Sequence, residues 1–183
     1  MARLTAINPE QASGKTKELF NAVQSKLGVV PNMMRTMGNA PAFLEGYLNL
    51  SGALGTGKLG LKNSNLIAMA VAESNACNYC LSAHTYLGLN LAKIDEATLT
   101  DARDGIAKDA KTQAILQFAK LVVAKHGQLN DADVAAVKLA GVTDGEIAEI
   151  IGHVALNIMT NYFNNTAGTV IDFPVVAAHV ATV

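Results

Sequence analysis

The sequence predicts an all-α fold, on three observations. Helix-start signals recur: Asn8 with Gln11 and Thr143 with Glu146 match the pattern in which a capping residue and the residue three positions on satisfy each other's backbone amides. Apolar residues return at three- and four-residue spacing, most regularly at Ile147, Ile150, Ile151, Val154, Ile158 and Met159, the period of one helix face. Runs that alternate apolar and polar residues with β-branched side chains, as a half-buried strand requires, are few.

In chain order, the first helix is expected to open at Asn8–Pro9 and run to about Leu27, where "GVVPN" ends it. Pro31 and Pro41 open two more segments, the second carrying Phe43, Leu44, Tyr47, Leu48 and Leu50 at helical spacing. "GALGTGKLG" reads as a flexible turn. Its Gly52, Gly57 and Lys58 approach the phosphate-loop pattern, but Leu59 stands where a hydroxyl must reach Mg²⁺ and a helical pattern precedes it, so nucleotide binding is not expected. A helix from about Leu61 places Leu66, Ile67, Ala70 and Val71 on one face, "ESN" interrupts it, and a further helix spans about Asn75 to Leu87. Helices follow at about 95–103, 110–125, 131–140 and 143–163. The closing "VIDFPVVAAHVATV" is apolar and broken by proline, and reads as an arm on its own domain or on a neighbouring subunit.

No repeat, low-complexity tract or linker divides the 183 residues, so one domain over 1–183 is expected. Only 16% of residues are charged and the net charge is −1, which excludes an electrostatic footprint for nucleic acid or an anionic membrane. The longest apolar runs, such as "LIAMAVA", fall far short of the roughly 18 residues of a spanning helix. The opening "MARLTAINPEQASGK" lacks the pattern of a secretory signal, so a cytoplasmic setting with mostly reduced thiols is expected. An apolar share of 50% with many small residues points to homo-oligomerisation.

The chemistry concentrates in "ESNACNYCLSAHTYLG", residues 73–88, which holds both cysteines and one of the four histidines. Cys77 and Cys80 lie one helical turn apart on the same side, close enough to bridge when the helix start relaxes. His84 is one turn further, where an imidazole can take the Cys80 proton, and amides of the helix N-terminus favour a thiolate. Spacing and position favour redox work. A metal site lacks a fourth ligand, since His126, His153 and His179 stand singly, and haem attachment fails because Leu81 follows Cys80. Two inert buried cysteines remain the structural alternative. Glu149, His153, Asn157 and Asn161 form a polar stripe spaced by four, read as a solvated or interface face or, more sharply, as a second wall of an active cavity. His126, before Gly127, reads as a helix-terminal histidine without chemistry.

"AVAESNACNYCLSAHTYLG", "LGVVPNMMRTMGNAPAFLEGYLNLSGAL" and "VALNIMTNYFNNTAGTVIDFP" together resemble the alkylhydroperoxidase D-like group of the carboxymuconolactone decarboxylase family, in its peroxidase-related branch. The resemblance implies an all-helical fold assembled as trimers or hexamers, with an antioxidant peroxidase (peroxiredoxin-like) activity. It implies Cys80 as the peroxide-attacking cysteine, Cys77 as the resolving one and His84 as the proton relay. A small peroxide is the implied substrate, and a lipoylated or thioredoxin-like protein dithiol the reductant, with no cofactor. The group's relay glutamate falls on Asn65, which cannot carry a proton, and Tyr79 stands between the cysteines where the type member has histidine. Asn65, Glu73, Tyr79 and His153 are therefore the candidate relay or supporting residues, and Asn65 is expected to point at the dithiol. The alternatives are a thiol–disulfide exchange or redox-sensing oligomer with little peroxidase turnover and, less suited to a dithiol, decarboxylation of a lactone acid.

Overall fold

The computed structural model describes residues 2–179. Among them the chain forms helices and no strand: α1 (Gly14–Leu27), α2 (Asn32–Met37), α3 (Pro41–Leu54), α4 (Gly60–Ser74), α5 (Asn78–Asn90), α6 (Glu96–Arg103), α7 (Ala110–Ala124), α8 (Asp131–Leu139) and α9 (Asp144–Ala167). The expected all-α class is what the molecule adopts.

Helix α4 is its axis, with α5, α6, α7 and α9 all packed on it. Every residue from Asn65 to Glu73 is buried, as in a helix enclosed on all sides. Leu66, Ile67 and Val71 are fully covered, and burial of each such side chain stabilises the fold by roughly 1.5–3 kcal/mol. Ala68, Ala70 and Ala72 between them let the surrounding helices approach closely.

Several boundaries differ from the sequence reading. The first helix starts at Gly14, not at Pro9. Asn8 instead closes a turn, accepting the Glu10 amide on its side chain (3.1 Å) and the Gln11 amide on its carbonyl (3.0 Å). Gly14 has φ +52°, a left-handed conformation that an α-helix does not run through. In "GALGTGKLG", α3 continues to Leu54, and the turn is shorter and pinned: both Glu149 carboxylate oxygens take amides, from Lys58 and Leu59, each at 3.0 Å. The chain's own carboxylate occupies the place a phosphate would need, and a Cβ on Gly57 would lie 2.6 Å from it. The last helix extends to Ala167 and stops where Gly168 adopts φ +60°.

The stripes of α9 are also redistributed. Ile150 and Val154 enter the core, but Ile151 is 46% exposed. On the polar stripe His153, Asn157 and Asn161 are buried, which corrects the expectation of a solvated face. The cause is length: α9 packs against α3, α4, α5 and α7, so more than one of its faces is covered.

Up to residue 179 the closing segment is an arm on its own domain. Ser82 Oγ accepts the Val176 amide, Asn78 Oδ1 accepts that of Ala178, and Glu73 accepts that of His179. Residues 180–183 of that segment lie outside the described residues. Among the described residues no helix is long and apolar enough to cross a membrane.

Candidate functional site

The site is made by the junction of α4 and α5. Helix α4 ends in a Schellman motif: the Ala76 amide bonds to Glu73 O (3.0 Å) and the Cys77 amide to Ala72 O (2.9 Å). The motif requires a left-handed residue after the cap, and here it is Ala76, at φ +48°. Holding a residue with a Cβ in that region costs roughly 1–2 kcal/mol, so the surrounding bonds dictate this turn. Cys77 closes α4 and at once caps α5, its sulfur accepting the Cys80 amide at 3.3 Å. The second helix therefore begins at Asn78, three residues later than expected, because the first cysteine serves as its cap.

Cys77 and Cys80 form a disulfide with Cα atoms 5.3 Å apart. Both sulfurs sit at the positive end of α5, where a thiolate released by reduction is favoured. Cys77 is fully enclosed and Cys80 nearly so, at 3% exposure.

The group that reaches the Cys80 sulfur is Asn164, a residue the sequence reading missed. Its Nδ2 lies 3.4 Å from Sγ. A disulfide sulfur has no hydrogen to give, so the amide must present its donor there. Neighbouring asparagines lock this end of α9 to the junction: Asn75 Nδ2 donates to Asn161 Oδ1 (3.0 Å) and Asn165 Nδ2 to Asn75 O (2.9 Å). The available signal was the stripe itself, which continues past Asn161 into Asn164 and Asn165 by one helical turn.

The expected relay residues divide among separate positions. His84, half-buried on α5, pairs with Asn65: Nδ1 is 3.1 Å from Asn65 Oδ1, while Asn65 Nδ2 donates to the His84 carbonyl. The carbonyl fixes which way the amide faces, so Nδ1 carries the proton and Nε2 is left bare. Burial pushes the imidazole down to about 4, making it neutral near pH 7. Asn65 thus addresses the histidine, and its observed hydrogen bonds reach neither sulfur. Gly88 makes room for it, since a Cβ there would lie 2.6 Å from Asn65 Nδ2.

Glu73 forms a buried ion pair with Arg103 at 2.7 Å. Burial alone would push its carboxyl up, but Arg103 and the His179 amide outweigh that and hold it below the usual range. Tyr79 accepts the Met33 amide on its hydroxyl (3.1 Å) and packs edge-on against Phe173, and burial raises its pKa. His153 lies 3.2 Å from Ser64 Oγ, with its imidazole pushed down by burial. Glu73 and Tyr79 brace the junction by these contacts, while His153 meets the opposite end of α4. Among the described residues no cluster of three metal-ligating side chains occurs.

The model of the carboxymuconolactone decarboxylase family matches residues 41–104, the segment that carries Asn65, both cysteines and His84. A comparison with curated proteins finds no match. Among solved structures, an uncharacterized peroxidase-related protein with an alkylhydroperoxidase AhpD core, from Ralstonia eutropha JMP134, superposes with a TM-score of 0.82 at 24% identity over 93% of this chain and 92% of its own. A second uncharacterized peroxidase-related protein, from Silicibacter sp. TM1040, gives 0.78 at 24% identity over 91% of each chain. A cysteine-to-alanine variant of the debrominase Bmp8, in complex with 2,3,4-tribromopyrrole, gives 0.76 at 20% identity over 94% of each chain. The fold is alkylhydroperoxidase D-like, and the resemblance carried by the sequence motifs holds.

Proposed function

We propose that this protein reduces peroxides through the Cys77–Cys80 dithiol, as an antioxidant peroxidase of peroxiredoxin type. The observation that carries the reading is the disulfide inside the first turn of α5 with an amide donor on the Cys80 sulfur. In the reduced protein the Cys80 thiolate attacks the terminal peroxide oxygen: the S–O bond forms, the O–O bond breaks, and the departing alkoxide takes a proton from water to leave as an alcohol. Cys80 is then a sulfenic acid. Cys77 attacks its sulfur, the S–O bond breaks, and the hydroxyl leaves as water with the Cys77 proton, giving the disulfide. Bare Nε2 of His84 is the base available to take the Cys80 proton, with Asn65 setting its tautomer. A protein dithiol, lipoylated or thioredoxin-like, restores the thiols by exchange. No metal or organic cofactor is required by these steps. A cytoplasmic setting and a trimeric or hexameric assembly complete the proposal.

Thiol–disulfide exchange without peroxide turnover is the second reading, favoured by the amide at Asn65 where a proton-carrying group would speed catalysis by roughly 10²–10⁴-fold. Consumption of cumene hydroperoxide by the reduced protein, supplied with dihydrolipoamide, separates the two. Catalytic loss of peroxide that requires Cys80 supports the first. Rapid reduction of a disulfide probe with peroxide loss no faster than dihydrolipoamide alone overturns it.

A further inference from the structure

Beside the dithiol lies a polar cavity of about 280 Å³, bordered by Arg3, Asn78, Tyr79, Asn164, Thr169 and Ile171 among others. Two polar atoms on its lining residues are buried without any hydrogen-bond partner: Asn164 Oδ1 and Thr169 Oγ1. Buried groups of this kind are nearly always satisfied. Asn164 is 3% exposed, and its other amide atom is already committed to the Cys80 sulfur. Arg3 spends Nη1 on the Asn165 and Thr166 carbonyls at the end of α9, which holds the N-terminal segment against this wall.

We propose that this cavity is the subsite for the hydroperoxide group of a small organic peroxide, with Asn164 holding nucleophile and substrate together; this rests on the peroxidase reading above. Nδ2 donates to the Cys80 thiolate. Oδ1, an acceptor, takes the terminal O–H of the peroxide, and the amide carbon is all that separates the two contacts. A ligand without a hydrogen to donate cannot satisfy Oδ1, so the site discriminates between a hydroperoxide and a dialkyl peroxide or a disulfide. The Thr169 hydroxyl donates to the second peroxide oxygen, the one that becomes the alkoxide. When the S–O bond has formed and the O–O bond has broken, the sulfenic acid O–H lies where Oδ1 already accepts it.

The test measures two quantities on the reduced protein and on Asn164→Asp, Asn164→Leu and Thr169→Val. The first is the pH profile of Cys80 alkylation by iodoacetamide; the second is the rate of its oxidation by cumene hydroperoxide, expressed per thiolate. Asn164→Asp replaces the donor on sulfur by a carboxylate, and is expected to raise the alkylation midpoint by about one pH unit or more and to slow oxidation at least tenfold. Thr169→Val touches no sulfur in this geometry. It should leave the midpoint unchanged and slow oxidation about fivefold, as the loss of one neutral hydrogen bond does. Where an Asn164 variant fails to fold, Thr169→Val decides. Oxidation of Thr169→Val and of any folded Asn164 variant at the native rate per thiolate overturns the subsite while leaving the peroxidase reading intact. A native protein that is alkylated normally but inert to cumene hydroperoxide overturns both.

Discussion

The two ends of α9 carry the same kind of stripe and use it differently. Toward the N-terminus, Glu149 accepts two amides of the 55–59 turn and His153 meets Ser64, so each polar group ends on a partner of its own chain. Toward the C-terminus, Asn161, Asn164 and Asn165 surround the cysteine junction, and buried amide atoms of Asn161 and Asn164 remain unpaired. A buried polar residue on a helix is therefore no guide to chemistry by its burial. What separates scaffold from site is whether its hydrogen-bonding capacity is already spent.

The contrast is broken most severely at the sulfurs. Cys80→Ser is expected to abolish dithiol-dependent peroxide loss, while Cys77→Ser should permit a single oxidation that stops at the Cys80 sulfenic acid, trappable with a dimedone reagent. A sulfenic acid at Cys77 in the Cys80→Ser protein, with none at Cys80 in the reverse variant, would exchange the two roles.

Asn65→Glu comes next. Its carboxylate would face Nδ1–H of His84 and make Nε2 more basic, so activity should rise about tenfold, equivalent to roughly 1.4 kcal/mol of barrier. The gain should vanish when His84 is replaced by Gln. An unchanged rate in a folded protein would mean that imidazole basicity does not limit turnover.

Glu149→Gln probes the scaffold end. One of its two accepted amides then meets an NH₂ group, at a cost of about 0.5–1.5 kcal/mol, or roughly 1–6 °C in Tm for a chain of this size. Cys80 reactivity should not change. If alkylation of Cys80 slows as much as stability falls, the two ends of α9 are coupled and the division fails.

The remaining effect is with pH. Between the ordinary histidine value of 6.5 and about 4, the unfolded chain binds a proton that the folded His84 refuses, so stability should decline as pH falls through that window. Thermal melts from pH 7 to 4.5 should show a shallower decline for His84→Gln than for the native protein. Equal slopes would place the acid sensitivity elsewhere.

Much of this was legible from residue pattern alone. The capping pair Thr143 and Glu146 forms as read, with both reciprocal bonds present, and Pro41 stands in the first turn of α3, because local chemistry determines both. Cys77 and Cys80 sit where their spacing puts them. What escaped depended on tertiary placement. The Asn8–Pro9 signal was overruled by the left-handed Gly14, and Asn65 turned to His84 because Gly88 leaves a gap on the facing helix. Asn164 is separated from Cys80 by 84 positions, and its role exists only once α9 crosses the α4–α5 junction.

The central claim is that Cys80 and Cys77 act on peroxide as a coupled pair, and its most direct test is stoichiometric. Fully reduced protein is mixed with limiting cumene hydroperoxide, quenched with an alkylating agent and analysed by intact and peptide mass spectrometry. The account predicts one Cys77–Cys80 disulfide formed, and one cumyl alcohol released, for each peroxide consumed. Peroxide that survives while both thiols are recovered alkylated would contradict it, as would Cys80 advancing to sulfinic acid beside an intact Cys77 thiol.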